Sequence, residues 1–322
     1  MKIAYDSTVF WGTGMTYQEQ YRAVKEAGFE YINPYNDDFP GYFKRPKYTF
    51  EEVDWHAAQI KKAGLKIASL TTGFHIGAED EFMRKYAVNC WKRMFDIGER
   101  CGVHVFNTEL GTGRDPEVSE AKIMTSLDEL VPIMEERGIR MDIQAHPGDF
   151  YEHNNDIYDI VRYYDSPAFA YVYSIPHTFH YDGGAGNIEK NLRYCRKHLK
   201  HVLFADTYDY TKIFRYNVNP AGEYWNGKVR CHDHLARIGE GDVDFDRIFK
   251  TLREIGFNEQ DDTIATFNPL GFPETAVEDG IYTRELIEKN LVNVPSIKEP
   301  EPEGFDQFSR YGFGFCGNYR NF

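Results

Sequence analysis

The chain has 322 residues, of which 42% are hydrophobic and 27% charged, and its 51 acidic against 37 basic side chains leave a net charge of −14. Such an excess repels a phosphate backbone at long range, so nucleic acid is a poor partner. No apolar run approaches the roughly 18 residues of a membrane span, and a length of this order fits a single α/β barrel.

The first strand opens at once in MKIAYDSTVF, with no basic-then-apolar leader, and the five cysteines are scattered without a CxxC pair. A cytoplasmic protein with reduced thiols is expected, with no membrane attachment. Short apolar runs predict eight strands, at 3–5, 30–33, 66–71, 103–108, 139–144, 169–174, 201–205 and 262–267, each followed by a helical pattern. Five helical stretches end in glycine and run straight into an apolar segment: VKEAGFEYIN, KKAGLKIASL, GERCGVHVFN, EERGIRMDIQ and REIGFNEQDDTIATF. Gly28, Gly64, Gly102 and Gly138 each suit the left-handed residue that closes a helix, and they recur every 36 to 38 residues. Eight βα units predict a (β/α)8 TIM barrel over 1–292, whose chemistry sits where strands end and βα loops begin.

After a last helix at 279–291, the stretch NVPSIKEPEPEGFDQ loses periodicity and reads as a linker. It leads to SRYGFGFCGNYRNF, so 293–322 is expected to be linker and aromatic C-terminal tail, packing on the barrel rim or on another chain. An oligomer, with room for a second small subunit, is the corresponding partner expectation. Aromatic residues make up 16% of the chain and are frequent in the predicted βα loops, including Phe10, Trp11, Tyr35, Phe39, Tyr208, Tyr210, Tyr224 and Trp225. They would stack on a sugar or flavonoid ring, bury against a subunit, or simply cover the loops. The 206–242 stretch is too long for an ordinary connection.

Polar residues at the predicted strand ends are the candidates for chemistry. CHDHLARIGEGDVDF at 231–245 carries His232 and His234, which point the same way in an extended segment, as two metal ligands need. Its Gly239 and Gly241 permit a tight turn into a helix near Val243. Strand six ends in SIPHTFH, with Ser174, His177 and His180. Strand five ends in IQAHPGDF, with Gln144, His146 and Asp149. Strand seven offers Asp206, strand four Asn107 and Glu109, and strand three His75. Any one of these is as well explained by a structural role. The set converging on one mouth points to a site.

With HPGDF after strand five, PHTFH after strand six and GEGDVDF before the next helix, the chain resembles the sugar phosphate isomerase/epimerase superfamily, the xylose-isomerase-like barrels. Within it, VLFADTYDY and VRCHDHLARIGEGDVDF are similar to a branch holding inositol-catabolism barrel proteins and the larger subunit of bacterial C-glycoside deglycosidases. The resemblance covers roughly 1–292 and implies one divalent metal, manganese or zinc, held at four strand ends. This sequence departs from it, because those positions hold Gln144, Ser174, Leu203 and Phe267 or Asn268. The resemblance also implies a second ligand trio, matched by His177, His232 and His234, with Asp206 orienting one imidazole or completing the cage.

The resemblance further implies proton abstraction next to a carbonyl of a keto-sugar or cyclitol, with the metal stabilising the enediolate. His146 is the preferred base and Glu109 the alternative, while His75, Asn107, Gln144, Phe179 and Asn268 are expected to bind substrate. Isomerisation, epimerisation and elimination, C-glycoside cleavage included, all start from such an enolate. Two rival readings stand beside it. One is a non-catalytic barrel subunit of a sugar-processing complex; the other, phosphodiester hydrolysis, conflicts with the acidic charge.

Overall fold

Helix ends show first why the chain folds as it does. Thr16 and Glu19, and again Thr49 and Glu52, form reciprocal capping boxes that satisfy backbone donors at the starts of α1 (Tyr17–Glu26) and α2 (Phe50–Lys62). Gly102 and Gly138 close α3 (Glu81–Cys101) and α4 (Pro116–Arg137) in the left-handed region, at φ 71° and 62°. A residue with a Cβ is strained there, which is why the glycine recurs at the ends of the units.

The computed structural model describes residues 1–10, 12–34, 48–110, 115–146, 149–179, 187–207, 237–270, 272–292 and 294–297, with the backbone of 180–181 and of a small antiparallel pairing of 224–225 with 228–229. His232, His234, the side chains of His180, Tyr224 and Trp225, the loop aromatics Trp11, Tyr35, Phe39, Tyr208 and Tyr210, and the tail from 298 lie outside that description.

Eight parallel strands follow in order: β1 (Lys2–Asp6), β2 (Tyr31–Asn33), β3 (Lys66–Ile67 and Leu70–Thr71), β4 (Val105–Glu109), β5 (Arg140–Gln144), β6 (Phe169–Ser174), β7 (Leu199–Phe204) and β8 (Ile264–Phe267). Each pairs with its sequence neighbour, and β1 pairs with β8. The two pieces of β3 bond to opposite partners, Lys66–Ile67 to β2 and Leu70–Thr71 to β4, so the ring closes through the break at Ala68–Ser69. The remaining helices are α5 (Asn154–Tyr164), α6 (Ile175–Tyr181), α7 (Ile188–Cys195), α8 (Phe245–Glu254) and α9 (Ala276–Ile287). Helix α9 starts three residues earlier than the sequence suggests and passes into a π turn at Glu288–Val292, while α8 starts at Phe245 behind its cap Asp244. Among the described residues no helix is long and apolar enough to cross a membrane.

Alternation along the strands separates two cores. Outward residues such as Tyr5, Phe106, Phe204 and Phe267 pack into the helical layer; Tyr5 meets Phe29 and Phe267 edge to face, and Phe204 stacks on Phe249 of α8. Inside the ring, Ala4, Ala68 and Ile264 form a small apolar plug. Above it a polar chain crosses the barrel: Arg140 Nε donates to Asp142 at 2.6 Å, Asp142 lies 3.3 Å from His201 Nδ1, His201 Nε2 meets Thr266 Oγ1 at 2.7 Å, and Asn33 Nδ2 donates to Thr266 at 2.9 Å. Asn33 then accepts from the Ser69 N–H at the break in β3. The interior is thus ordered by hydrogen-bonded and ion-paired polar groups as well as by burial.

Candidate active site

Parallel register puts Glu109 of β4 opposite Gln144 of β5 at the C-terminal mouth. Beyond Gln144 the chain turns back on itself, with the Asp149 N–H donating to the His146 carbonyl at 3.2 Å. Asp149 comes beside Glu109 at the end of β4. One donor atom from each of Glu109, His146 and Asp149 lies within 4.8 Å of the others, and His146 Nε2 is 3.7 Å from Glu109 Oε2. Burial, then the Glu109 carboxylate, pushes the Asp149 carboxyl up to about 8, against the pull of His146.

Helix α6 follows β6 without a connecting residue, so His177 sits in its first turn and faces the same mouth. Its ring meets His146 edge to face, 4.7 Å between centroids at 82°. His177 Nδ1 donates to the Ala145 carbonyl at 3.0 Å, so that in the neutral ring the lone pair is on Nε2. In that form the imidazole can take a proton or bind a cation. Beside it, Glu152, His153, Asn154, Thr178 and Asn191 line a small polar cleft.

Other expected site residues go elsewhere. Asp206 accepts the N–H groups of Thr207, Gly239, Gly241 and Val243 with its two carboxylate oxygens. Burial raises its pKa while these four N–H groups draw it down. Gly241 is required here, since a Cβ would come within 2.2 Å of Asp206 Oδ1 and 2.4 Å of the Thr207 carbonyl. What the structure assigns to Asp206 is therefore the stapling of the 237–243 segment to the end of β7; its carboxylate turns to backbone amides, where an orienting role toward an imidazole was expected. Asn268 donates its amide to Asp6, and Asn107 lies one register step below Glu109, opposite Thr71 and Asp142. Phe179 is buried on α6, and half-buried His75, on the loop after β3, has its pKa lowered by burial.

A divalent cation needs ionised or imidazole donors. At the inner strand ends Gln144, Ser174, Leu203 and Asn268 supply an amide, a hydroxyl, a hydrocarbon and a second amide, and Ser174 pairs directly with Leu203 in register. These residues do not fit a metal. Glu109, His146 and Asp149 do, by donor chemistry and by spacing. Asp149 is visible in the sequence within HPGDF, but nothing there shows that the turn folds it onto Glu109. Asp6, buried at the end of β1 with its pKa pushed to about 6 by burial against hydrogen bonds from Thr8 and Asn268, carried no sequence signal beyond its inward position in KIAYD.

A family model described as the xylose isomerase-like TIM barrel matches residues 21–283. No curated protein sequence matches the chain. Among solved structures, the 3-keto-D-glucoside 4-epimerase of E. coli in its apo form superposes with a TM-score of 0.65 at 17% identity, over 89% of this chain and 99% of that one. An IolI protein with a bound zinc gives 0.63 at 17% identity, over 90% and 99%. The probable 3-DHS dehydratase AsbF of Bacillus anthracis gives 0.65 at 12% identity, over 88% and 99%. At these identities the likeness is one of fold.

Proposed function

Starting from a chain that belongs to the xylose isomerase-like TIM-barrel family, we propose that it removes a proton from carbon beside a carbonyl of a keto-sugar or cyclitol. The observation that carries this reading is the imidazole–carboxylate group at the mouth of β4 to β6, where two histidines and two carboxylates meet. His146 and His177 are the imidazoles of this mouth that can transfer the proton, His177 alone where His146 holds a cation, and the neighbouring carboxylates stabilise the imidazolium once it holds the substrate proton. Gln144, Asn107, Asn268, His75 and Phe179 are the proposed contacts to the sugar. A divalent metal, manganese or zinc, would supply charge stabilisation to the enolate oxygens when bound. The same enolate leads to isomerisation, epimerisation or elimination, and cleavage of a C-glycoside bond is one such elimination. An epimerase and a dehydratase among the fold relatives support this class of chemistry.

A second reading has its own observation. The neutral side chains at Gln144, Ser174, Leu203 and Asn268 favour a barrel that serves as the non-catalytic subunit of a sugar-processing oligomer. Incubation with 3-keto-glucosides and ketohexoses in D2O, followed by NMR, decides between them. Exchange at the carbon beside the carbonyl, lost in His177→Ala, supports the enzyme. A manganese-supplemented wild-type protein that exchanges no proton on any of these carbonyl sugars sinks it.

A further inference from the structure

We propose that Glu109, His146 and Asp149 form a divalent-cation site for manganese or zinc, set on the rim between β4 and β5. The proposal deepens the reading of this mouth as catalytic and rests on it for the cation's purpose, but its geometry stands alone. Two carboxylates and an imidazole are the donor set that manganese and zinc accept. One ligand atom of each lies within 4.8 Å of the others. A cation about 2.0–2.3 Å from every donor needs them about 3–4 Å apart. Glu109 Oε2 and His146 Nε2, at 3.7 Å, already meet that spacing. Side-chain rotation at Asp149 closes the remainder.

Asp149 provides the independent observation. Its Oδ2 is buried and has no hydrogen-bond partner, and no lysine or arginine among the described residues reaches it. A half-buried carboxylate beside Glu109, with one oxygen out of water and unpartnered, is costly unless something positive joins it. The contrast with Asp206, whose carboxylate is filled by four backbone N–H groups, shows how this chain satisfies a carboxylate that only builds structure. A roles assignment follows. With His146 on the cation, His177 is the imidazole left for proton transfer: its Nδ1 is committed to the Ala145 carbonyl and its ring lies 4.7 Å from that of His146.

The test titrates the full-length protein, stripped with EDTA and exchanged into metal-free buffer, with manganese(II) alone, reading free manganese by electron paramagnetic resonance and zinc by competition. One ion per chain is expected, with affinity at least about tenfold weaker in Asp149→Asn and in Glu109→Gln and unchanged in the His232→Ala, His234→Ala double variant. Thermal melts of the metal-free variants confirm that each is folded, and Glu109→Gln carries the test if Asp149→Asn is not. Wild-type protein that binds no ion overturns the site, as does undiminished affinity in both carboxylate variants, which identifies a shared proton in place of a cation. Loss of binding only in the histidine double variant also overturns it, in favour of a site on the 231–236 segment. An ion bound here without proton exchange on any carbonyl sugar sinks the catalytic reading and keeps the site; proton exchange by a protein that binds no ion on titration does the reverse.

Discussion

Two aspartates on either side of the end of β5 show how the barrel interior and its mouth differ. Asp142, inside the ring, is fully buried but is met by Arg140 and His201, and its pKa is lowered: burial pushes it up, and the opposing Arg140 charge, with the hydrogen bonds, outweighs that push. Asp149, at the mouth, is less buried yet is pushed up to about 8, because burial acts on it with the Glu109 charge added and only His146 pulling the other way. The sequence distance between them is one turn of chain. The interior carboxylate belongs to a chain of partners running to Ser69, so it is a fixture of the fold. The mouth carboxylate has been left for something that arrives later.

The largest expected effect breaks the comparison at the mouth. His177→Ala and His146→Ala should each lower kcat for proton exchange on the true substrate by about 10²–10⁴, with Tm held within a few degrees of wild type. Deuterium exchange and a thermal melt on the same samples check both halves. If Tm collapses along with activity, the mouth is part of the fold in the way the interior is, and the division between them fails.

The converse experiment comes next in size. Asp142→Ala leaves Arg140 and His201 buried without their carboxylate, and removing one member of a buried ionic group costs about 3–5 kcal/mol. Urea unfolding should show this loss as a lower midpoint, and an unshifted midpoint would mean that the chain from Arg140 to Ser69 is incidental. Such a variant, where it folds, should keep the metal affinity of the parent protein.

Asp6 sharpens the comparison through pH. It sits at the mouth end of β1, and burial lifts its pKa from 3.8 in a free carboxyl to about 6. A carboxyl whose folded pKa lies above its unfolded value binds its proton more tightly when folded. Stability from this group is therefore present below about pH 4 and declines as pH rises through about 6, by roughly 2–3 kcal/mol in all. Asp6→Asn should remove that decline. Its urea midpoint, compared with that of wild type at pH 4.5 and pH 7.5, should fall less on going up in pH; parallel behaviour of the two proteins would assign the slope to other groups.

These contrasts also mark what could be seen in the sequence. All eight strands follow from short apolar runs, because a barrel strand is buried on both faces, and the helix ends follow from Gly102 and Gly138, because few residues tolerate a left-handed cap. The break in β3 does not follow, since KIASLTT is a continuous strand pattern and only the pairing shows Lys66–Ile67 bonded to β2 and Leu70–Thr71 to β4. Among the proposed site residues, Glu109, His146 and His177 are legible as polar side chains at strand ends. Asp149 was legible as a residue of HPGDF but not as a neighbour of Glu109, because that contact depends on the turn between them. Asp206 was misleading for the opposite reason: its position after β7 suggests chemistry, and only the four amides show otherwise. His201 reads as one polar residue in an apolar run, and its inward direction becomes plain only with Asp142 and Thr266 on either side.

The smallest effect concerns that Asp206 staple. Replacing the carboxylate by an amide in Asp206→Asn keeps one oxygen for two of the four N–H groups and turns an NH2 group toward the other two, which then lose their acceptor. Two part-buried amides left short of an acceptor cost less than the roughly 1–3 kcal/mol apiece of fully buried ones, and less than breaking the Asp142 group because no full charge is stranded. The loss should be local, since Gly239, Gly241 and Val243 all lie on the short segment that leads from the end of β7 into α8. Hydrogen exchange at those three amides should therefore accelerate by tenfold or more while exchange in β4 to β6, and manganese affinity at the mouth, stay as in wild type. Faster exchange spreading to β5 would mean that Asp206 supports the site after all, and the line drawn between the two kinds of carboxylate would have to move.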